Sequence, residues 1–161
     1  MARAVDVVFR SYVEETDRLA LEKFSCRNPA QRWTKAAERA IRTAPAGIAD
    51  GFEAQIVVAE DGDGGIVGAV VFGPDDDATR FVIHSLGVVK DRRRQGIGER
   101  LKVAALAEIV AVVGHEQDVF SEVHKNNLAM RALNEKLGAQ SERDPDHRDR
   151  YLTAIKPSPA P

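Results

Sequence analysis

The chain has 161 residues, of which 43% are hydrophobic and 30% are charged, and its formal net charge is −2. These values fit one globular domain and exclude a protein that is strongly basic throughout, although a local basic patch remains compatible with phosphate binding. The single cysteine, Cys26, excludes an internal disulfide and favours a reducing compartment. Neither a signal-peptide pattern nor an apolar run of about 18 residues is present. We therefore expect a cytoplasmic protein without a membrane partner.

The hydrophobic pattern predicts strands and helices that alternate along most of the chain. The segment Asp61–Gly65 (DGDGG) predicts a hairpin turn, since Phe72 stands where a calcium loop would need glutamate. In chain order the predicted elements are a strand over 4–12, helices over 14–24 and 29–43, strands over 54–60, 65–73 and 80–89, a helix from 97, a strand over 118–123, a helix over 127–138, a short strand near 140–143 and a strand over 150–155. This order predicts an α/β domain over 1–156 whose sheet mixes hairpins and crossovers, followed by a disordered tail over 157–161.

A basic, glycine-rich segment precedes the helix that begins at residue 97. It reads DRRRQGIGERL over 91–101, with three arginines at Arg92–Arg94 and glycines at Gly96 and Gly98. A helix N-terminus carries unpaired N–H groups, glycine lets an anion approach them, and guanidinium groups suit phosphate oxygens. The segment therefore predicts a pyrophosphate site. The alternative is a tight turn with a solvated basic rim, because an isolated Gly-x-Gly occurs in many loops.

Two longer motifs resemble the GNAT family of N-acetyltransferases. In LGVVKDRRRQGIGERL, Leu86 and Val88 match the strand, and Arg93, Gly96 and Gly98 match the loop of the acetyl-CoA motif. In NLAMRALNEKLGA the residues that match the later helix of the family are Asn127, Leu133, Lys136 and Gly138. The order and separation of the two motifs fit the family, and the order of elements agrees over nearly the whole chain.

The resemblance implies a single-domain GNAT-like fold with a central mixed, mostly antiparallel sheet flanked by helices. It implies acetyl-CoA as the cosubstrate, without a metal, and transfer of the acetyl group to a primary amine by direct attack in a ternary complex. Val88 would meet the acetyl group through its backbone, and its N–H is the candidate donor to the developing oxyanion. The cofactor-binding residues implied are Leu86, Val88, Arg93, Arg94, Gln95, Gly96, Ile97, Gly98 and Asn127.

The catalytic acid is the point at which the chain departs from the family. Asn134 stands where many members carry a tyrosine that protonates the departing CoA thiolate. An asparagine cannot supply a proton at neutral pH, but its NH₂ group can donate a hydrogen bond to sulfur. We expect Asn134 to take this part in catalysis. Tyr151 and Ser121 are alternative donors.

His84 is the candidate catalytic base. It precedes Leu86 by two residues, at a position that carries a catalytic histidine in some family members. Strict alternation along a strand would place it on the same face as Val82 and Leu86. The alternative is a half-buried histidine that is hydrogen-bonded across the sheet. Glu53 and Glu122 are weaker candidates for the base.

The acceptor remains open between a small-molecule amine and a peptide amine. Two other functions compete: a toxin-like aminoacyl-tRNA N-acetyltransferase, against which the negative net charge argues, and a regulatory domain that binds acyl-CoA without catalysis. A homodimer is left open. His115, His124 and His147 show no metal-ligand spacing. In the family the region between the first two helices commonly shapes the acceptor pocket, which makes Phe24, Arg32 and Trp33 candidates there, although the spacing of Trp33 favours a core position. Asp75–Asp77 would suit a cationic acceptor, but a solvated turn is the favoured interpretation.

Overall fold

The computed structural model describes residues 7–22, 55–74, 80–92, 94–114 and 117–156. Within them it contains three α-helices, seven strands and a 3₁₀ turn at Lys90–Arg92. In chain order the elements are β1 (Val8–Ser11), α1 (Glu14–Glu22), β2 (Gln55–Glu60), β3 (Ile66–Pro74), β4 (Phe81–Val88), α2 (Ile97–Val113), β5 (Val119–His124), α3 (Leu128–Lys136), β6 (Gln140–Arg143) and β7 (Arg150–Ile155).

The seven strands form one mixed sheet in the order β1-β2-β3-β4-β5-β7-β6. Every neighbouring pair is antiparallel except β4 and β5, which run parallel. A parallel pair needs a crossover, and the loop after β4 together with α2 supplies it. The sheet is therefore mixed and mostly antiparallel, as predicted.

Both faces of the sheet are covered. The apolar stripe of α2, at Ile97, Leu101, Ala105 and Ile109, is buried against one face in the larger core cluster. On the other face α1 buries Leu21 in a smaller cluster. The stripe at a spacing of four residues explains why this segment forms a helix that packs on the sheet. The core strands are buried on both sides in their central parts, which accounts for their nearly continuous runs of valine and isoleucine.

The predicted elements that fall on the described residues are confirmed, including the hairpin and the short strand β6. In the hairpin, Asp61 N donates to Gly65 O at 2.7 Å, and Asp63 Oδ1 accepts a hydrogen bond from Gly65 N. The predicted helix over 29–43 and the tail over 157–161 lie outside the described residues, as do Cys26, Phe24, Arg32, Trp33, Asp75–Asp77 and His115. No helix in the described part of the chain is both long and apolar enough to cross a membrane.

A buried carboxylate fixes α1 to the first two strands. Asp17 is 2% exposed and accepts hydrogen bonds from both terminal nitrogens of Arg10, at 2.6 and 2.9 Å. It also accepts a hydrogen bond from Val13 N at 2.8 Å, which caps the start of the helix. The same guanidinium reaches Glu60 on β2. Hydrogen bonding to Arg10 lowers the pKa of Asp17 below its ordinary value, more than burial raises it.

We expect Asp17→Asn to lower the free energy of unfolding by about 1–2 kcal/mol at pH 7, since Arg10 is partly in water and the amide loses the charge. A carboxylate whose folded pKa is lowered stabilises the fold above its unfolded pKa, near 4, and that stabilisation is lost as the pH falls through the folded pKa. Urea unfolding between pH 7 and pH 2 should show the parent and the variant converging in acid. Glu15→Gln, at an exposed carboxylate of the same helix, is the control.

Candidate functional site

A gap opens between the parallel strands β4 and β5. The strands are in register only at two positions, Phe81 with Val119 and Val82 with Phe120. Beyond these pairs β4 continues in register with β3, and β5 continues in register with β7. The two strands therefore separate towards their carboxyl ends, the edge at which ligands of α/β sheets usually bind.

The backbone at the end of β4 is directed towards this gap. Val89 N donates to Val67 O at 2.9 Å, which makes that position a hydrogen-bonded pair between β3 and β4. In an antiparallel ladder the hydrogen-bonded and non-bonded positions alternate, so the N–H of Val88 is directed away from β3. Val88 therefore presents its backbone N–H to the β5 side, where the strands have separated.

The loop between β4 and α2 has the backbone of an anion-binding turn. Arg94 has φ 61° and Gly96 has φ 80°, both in the left-handed region, which a residue other than glycine rarely adopts. Gly96 is the N-cap of α2, and no side chain caps that helix end. Left-handed residues next to uncapped N–H groups form a concave array of donors that suits phosphate. A Cβ on Gly96 would meet no atom within 4 Å, so backbone conformation, and not crowding, demands glycine there.

Gly98 lies against the end of β4. A Cβ at this position would stand 3.6 Å from Leu86 Cδ2 and 3.7 Å from Val88 Cγ2, which are ordinary contact distances. A methyl group therefore has room. Ile97, in contrast, is 1% exposed and belongs to the core. Only its backbone can face a ligand.

The arginines of the loop have separate roles. Arg92 is buried and pairs through Nη1 with Asp61 in the β2–β3 turn, and its Nε donates to Gln95 Oε1 at 3.1 Å. The expectation that Arg92 adds charge at the phosphate site is therefore wrong, because its guanidinium is held by a carboxylate 31 residues away. It anchors the loop to the hairpin. Arg94 is exposed beside the loop, and Arg93 lies outside the described residues.

We expect Asp61→Ala to lower the free energy of unfolding by about 2 kcal/mol, because it leaves the buried Arg92 guanidinium without its carboxylate. Combining Asp61→Ala with Arg92→Met should recover part of that loss, since the buried charge is then gone. Denaturant unfolding of the parent, the single variant and the double variant measures both effects. Asp63→Ala, in the same turn, is the matched control, and an equal loss there would contradict the role given to Arg92.

His84 occupies a β-bulge in β4. Val71 on β3 pairs with Ser85 and Phe72 pairs with Ile83, so His84 is the extra residue of the bulge. The expected alternation from His84 to Leu86 is wrong, because the extra residue brings Ile83 and Leu86 onto the same core cluster. The imidazole is half-buried, and its Nε2 lies 3.2 Å from Pro74 O. With a proton on Nε2 donated to that carbonyl, the lone pair of the neutral ring is on Nδ1.

Asn134 is buried on α3 and contacts α2. Its Oδ1 accepts a hydrogen bond from Nζ of Lys102, and both side chains are at most 2% exposed. Burial lowers the pKa of Lys102 to about 8. Sequence reasoning missed Lys102, whose only signal was a charged residue adjoining the buried stripe of α2. Asn134 Nδ2 is buried and has no hydrogen-bond partner among the described residues.

The remaining candidates have these surroundings. Asn127 caps α3, accepting from Met130 N at 3.2 Å. Glu122 is exposed and pairs with Arg150 at 2.8 Å. Tyr151 is half-buried with Arg131 stacked on its ring, and Ser121 is half-buried on β5, while Glu53 lies outside the described residues. Among the residues that the structure describes, no group of three potential metal ligands occurs, His124 and His147 included.

Comparison with known proteins gives the following results. The model of the acetyltransferase (GNAT) family matches residues 14–139. No curated protein sequence matches the chain. Among solved structures, a GNAT-family acetyltransferase from Staphylococcus aureus has a TM-score of 0.73 at 12% identity, covering 94% of this chain and 99% of its own.

Two further structures resemble the chain over nearly their full lengths. Diaminobutyrate acetyltransferase from Paenibacillus lautus, in complex with L-2,4-diaminobutyric acid and coenzyme A, has a TM-score of 0.68 at 18% identity, covering 94% of this chain and 95% of its own. The ribosomal-protein-S18-alanine N-acetyltransferase from Escherichia coli has a TM-score of 0.67 at 20% identity, covering 96% of each chain. At these identities the likeness is one of fold. Because the family model spans most of the sequence, the chain belongs to the GNAT family of acetyltransferases.

Proposed function

We propose that this protein transfers the acetyl group of acetyl-CoA to a primary amine by direct attack in a ternary complex. The observation that carries the proposal is the juxtaposition of an uncapped helix start, two left-handed loop residues and a sheet that opens beside them. In a GNAT-family chain these features fit a CoA pyrophosphate at the loop and a pantetheine arm in the gap between β4 and β5. The fit rests on the backbone of the loop more than on its arginines.

The roles proposed for the loop residues combine the family resemblance with the placement of the residues that the structure describes. Backbone N–H groups from about Arg93 to Gly98 hold the pyrophosphate, with the exposed Arg94 adding charge at the rim. Leu86 and Val88 border the gap and contact the pantetheine arm. The N–H of Val88, directed away from β3, donates to the thioester oxygen as charge develops on it. Gln95 keeps the loop in place through Arg92, and Asn127 holds the start of α3 beside it.

His84 is the proposed base. A bulge re-aims a side chain out of the regular ladder, and bulges are frequent next to active sites. Nδ1 of the neutral imidazole can take the proton that the amine loses after it attacks, directly or through a water molecule. Glu122 is a weaker candidate, since its carboxylate is exposed and already paired with Arg150.

Chemistry shared with the similar proteins supports the proposed acceptor class. One of them is an acetyltransferase for a small diamino acid and another is an N-acetyltransferase for the alanine of a ribosomal protein. Both names describe an acceptor with an amino group, which must be neutral when it attacks a thioester. We therefore propose a small-molecule or peptide amine as acceptor. An aminoacyl-tRNA belongs in the test panel as the alternative with the same reacting group.

Calorimetry with CoA followed by initial-rate kinetics tests this function. CoA should bind, and acetyl-CoA should be consumed in the presence of one or more amines of a panel of diamines, amino-acid amides, peptides and aminoacyl-tRNA. Double-reciprocal plots at several acceptor concentrations should intersect, as a ternary complex requires. Parallel lines would contradict direct attack. CoA binding without turnover of any amine would favour a non-catalytic acyl-CoA-binding domain.

A further inference from the structure

A lysine and an asparagine form a buried polar contact between α2 and α3. Nζ of Lys102 donates a hydrogen bond to Oδ1 of Asn134 and lies 3.9 Å from Sδ of Met130. Lys102 is 2% exposed and Asn134 is 1% exposed. Lysine is almost never fully buried unless it is paired, and here the partner is a neutral amide. The contact is therefore unusual for a purely structural one.

The pair contains a hydrogen-bond donor, Asn134 Nδ2, for which the described part of the chain supplies no acceptor. Asn134 Nδ2 is buried without a hydrogen-bond partner there, while its carbonyl end is taken by Lys102. Buried amide hydrogens are seldom left unpaired, and a bound ligand is one way in which such a donor is satisfied. Burial alone lowers the pKa of Lys102 to about 8, so the ammonium form still predominates at pH 7. The unpaired amide thus sits next to a positive charge.

The pair joins the two helices that follow the separating strands, α2 after β4 and α3 after β5. Lys102 follows Gly98 by one helical turn, and Gly98 faces Leu86 and Val88 at the end of β4. Asn134 belongs to α3, which follows β5, the strand on the other side of the gap. The contact between Lys102 and Asn134 therefore joins the two elements that flank the gap.

We propose that the Lys102–Asn134 pair receives the sulfur of CoA: Asn134 Nδ2 donates a hydrogen bond to the departing thiolate, and Lys102 positions that amide and adds a positive charge behind it. This inference rests on the proposed function and adds a residue, Lys102, to it. A thiol at the end of a pantetheine arm is slender, and its thiolate is an acceptor that gains from both a donor and a cation. Asn134 is the catalytic residue of the pair, and Lys102 is a positioning residue.

The transfer balances without proton donation from either residue. The amine nitrogen forms a C–N bond to the thioester carbonyl carbon, and the C–S bond breaks with its electron pair going to sulfur. The sulfur leaves as a thiolate held by Asn134 Nδ2, and the surplus proton of the amine goes to the base. A thiolate is already a tolerable leaving group, so the pair has only to stabilise it further.

Other charged groups around the pair are accounted for as follows. Glu99 on α2 pairs with Lys136 on α3 at 2.8 Å, one turn from the buried contact. Glu135 and Arg131 on α3 are exposed. On the flanking strands the titratable groups are His84 on β4, and Glu122 and His124 on β5. Glu122 pairs with Arg150, and His124 pairs with Asp149. Lys102 is thus the buried cation of this set.

The thiol pKa of bound CoA is the direct test, and it needs no turnover. Thiolate absorbance near 232 nm is followed against pH in the complex of the protein with CoA, with the desulfo-CoA complex as the blank. In the parent, the pKa of the bound thiol should lie about one unit below the ordinary value, which is that of free CoA measured in the same way. In Lys102→Met, and in Lys102→Met combined with Asn134→Leu, it should return to within a few tenths of the ordinary value. The double variant replaces the pair by apolar side chains of similar size, which usually keeps or raises stability.

Kinetics and a matched lysine complete the test. Lys102→Met should lower kcat about 10-fold with the KM for acetyl-CoA nearly unchanged, because the amide loses the group that positions it and the thiolate loses a nearby positive charge. Lys136→Met removes an exposed lysine that joins the same two helices, and should change neither the thiol pKa nor kcat. An equal thiol pKa in the parent and the folded double variant, with CoA bound in both, would overturn the inference. Failure of the parent to bind CoA would instead overturn the proposed function.

Discussion

Replacing Gly98 by leucine is expected to weaken CoA binding by about 100-fold or more, equivalent to roughly 3 kcal/mol. A Cβ at this position already stands at contact distance from Leu86 and Val88, so a leucine side chain is expected to press on the end of β4 or to extend over the start of α2. The first outcome shifts the N–H groups that would face the pyrophosphate, and the second covers them. Isothermal titration with CoA measures the loss.

Gly98→Ala is the matched control for this substitution. A methyl group at Gly98 makes ordinary contacts with the end of β4, and we expect the alanine variant to bind CoA within a few-fold of the parent. Thermal unfolding of both variants establishes that they are folded. A folded leucine variant with the parent's affinity for CoA would remove the loop from the binding site.

His84→Ala is expected to lower kcat/KM about 100-fold and to remove the acid-side limb of its pH profile. A base must be neutral to accept the amine proton, so in the parent the rate falls as the imidazole becomes protonated with decreasing pH. Without the imidazole, that ionisation no longer affects the rate. The measurement is kcat/KM for acetyl-CoA between pH 5 and pH 9, with the acceptor amine held at a saturating concentration.

Two variants separate this role from a structural one. His84→Gln can still donate to the Pro74 carbonyl, 3.2 Å from Nε2 in the parent, but it cannot act as a base. We expect it to be as slow as the alanine variant while keeping the parent's melting temperature. His147→Ala, at an exposed histidine, should leave the profile unchanged. If His84→Gln kept the parent's rate and acid limb, His84 would be a hydrogen-bonded residue of the sheet and no more.

The elements of the described residues could be predicted because their signals are local. The stripe at Ile97, Leu101, Ala105 and Ile109 marks α2, and glycines and aspartates mark the hairpin. The alternation around His84 could not be predicted, since a bulge depends on how β3 and β4 pair. Strand periodicity assumes a regular ladder. One extra residue places the side chains of all following residues on the face opposite to the one that alternation predicts.

The position of the loop could be predicted from the sequence, but the partners of the charged residues around the site could not. The glycine spacing located the loop, but the positive φ of Arg94 has no signature in the sequence. The sequence alone predicts that Arg92 is a phosphate ligand, and the structure shows that Asp61 is its partner instead. The sequence alone predicts a solvated lysine at Lys102, and the structure shows its hydrogen bond to Asn134, 32 residues later. Pairings between distant residues decide which charges are buried, and no local pattern carries them.

The two register positions that join β4 to β5 also bear on how the molecule opens. The sheet consists of a four-stranded half, β1–β4, and a three-stranded half, β5–β7–β6, and only those two pairs connect their ladders. The boundary is a seam at which the halves can separate at a lower free energy than either half needs to unfold. A ligand lodged in the seam and touching both halves stabilises the closed form in proportion to the logarithm of its concentration over its dissociation constant. Amide protons along β5 should therefore exchange more slowly as CoA is added, which makes the cosubstrate a structural tie between the halves of the fold.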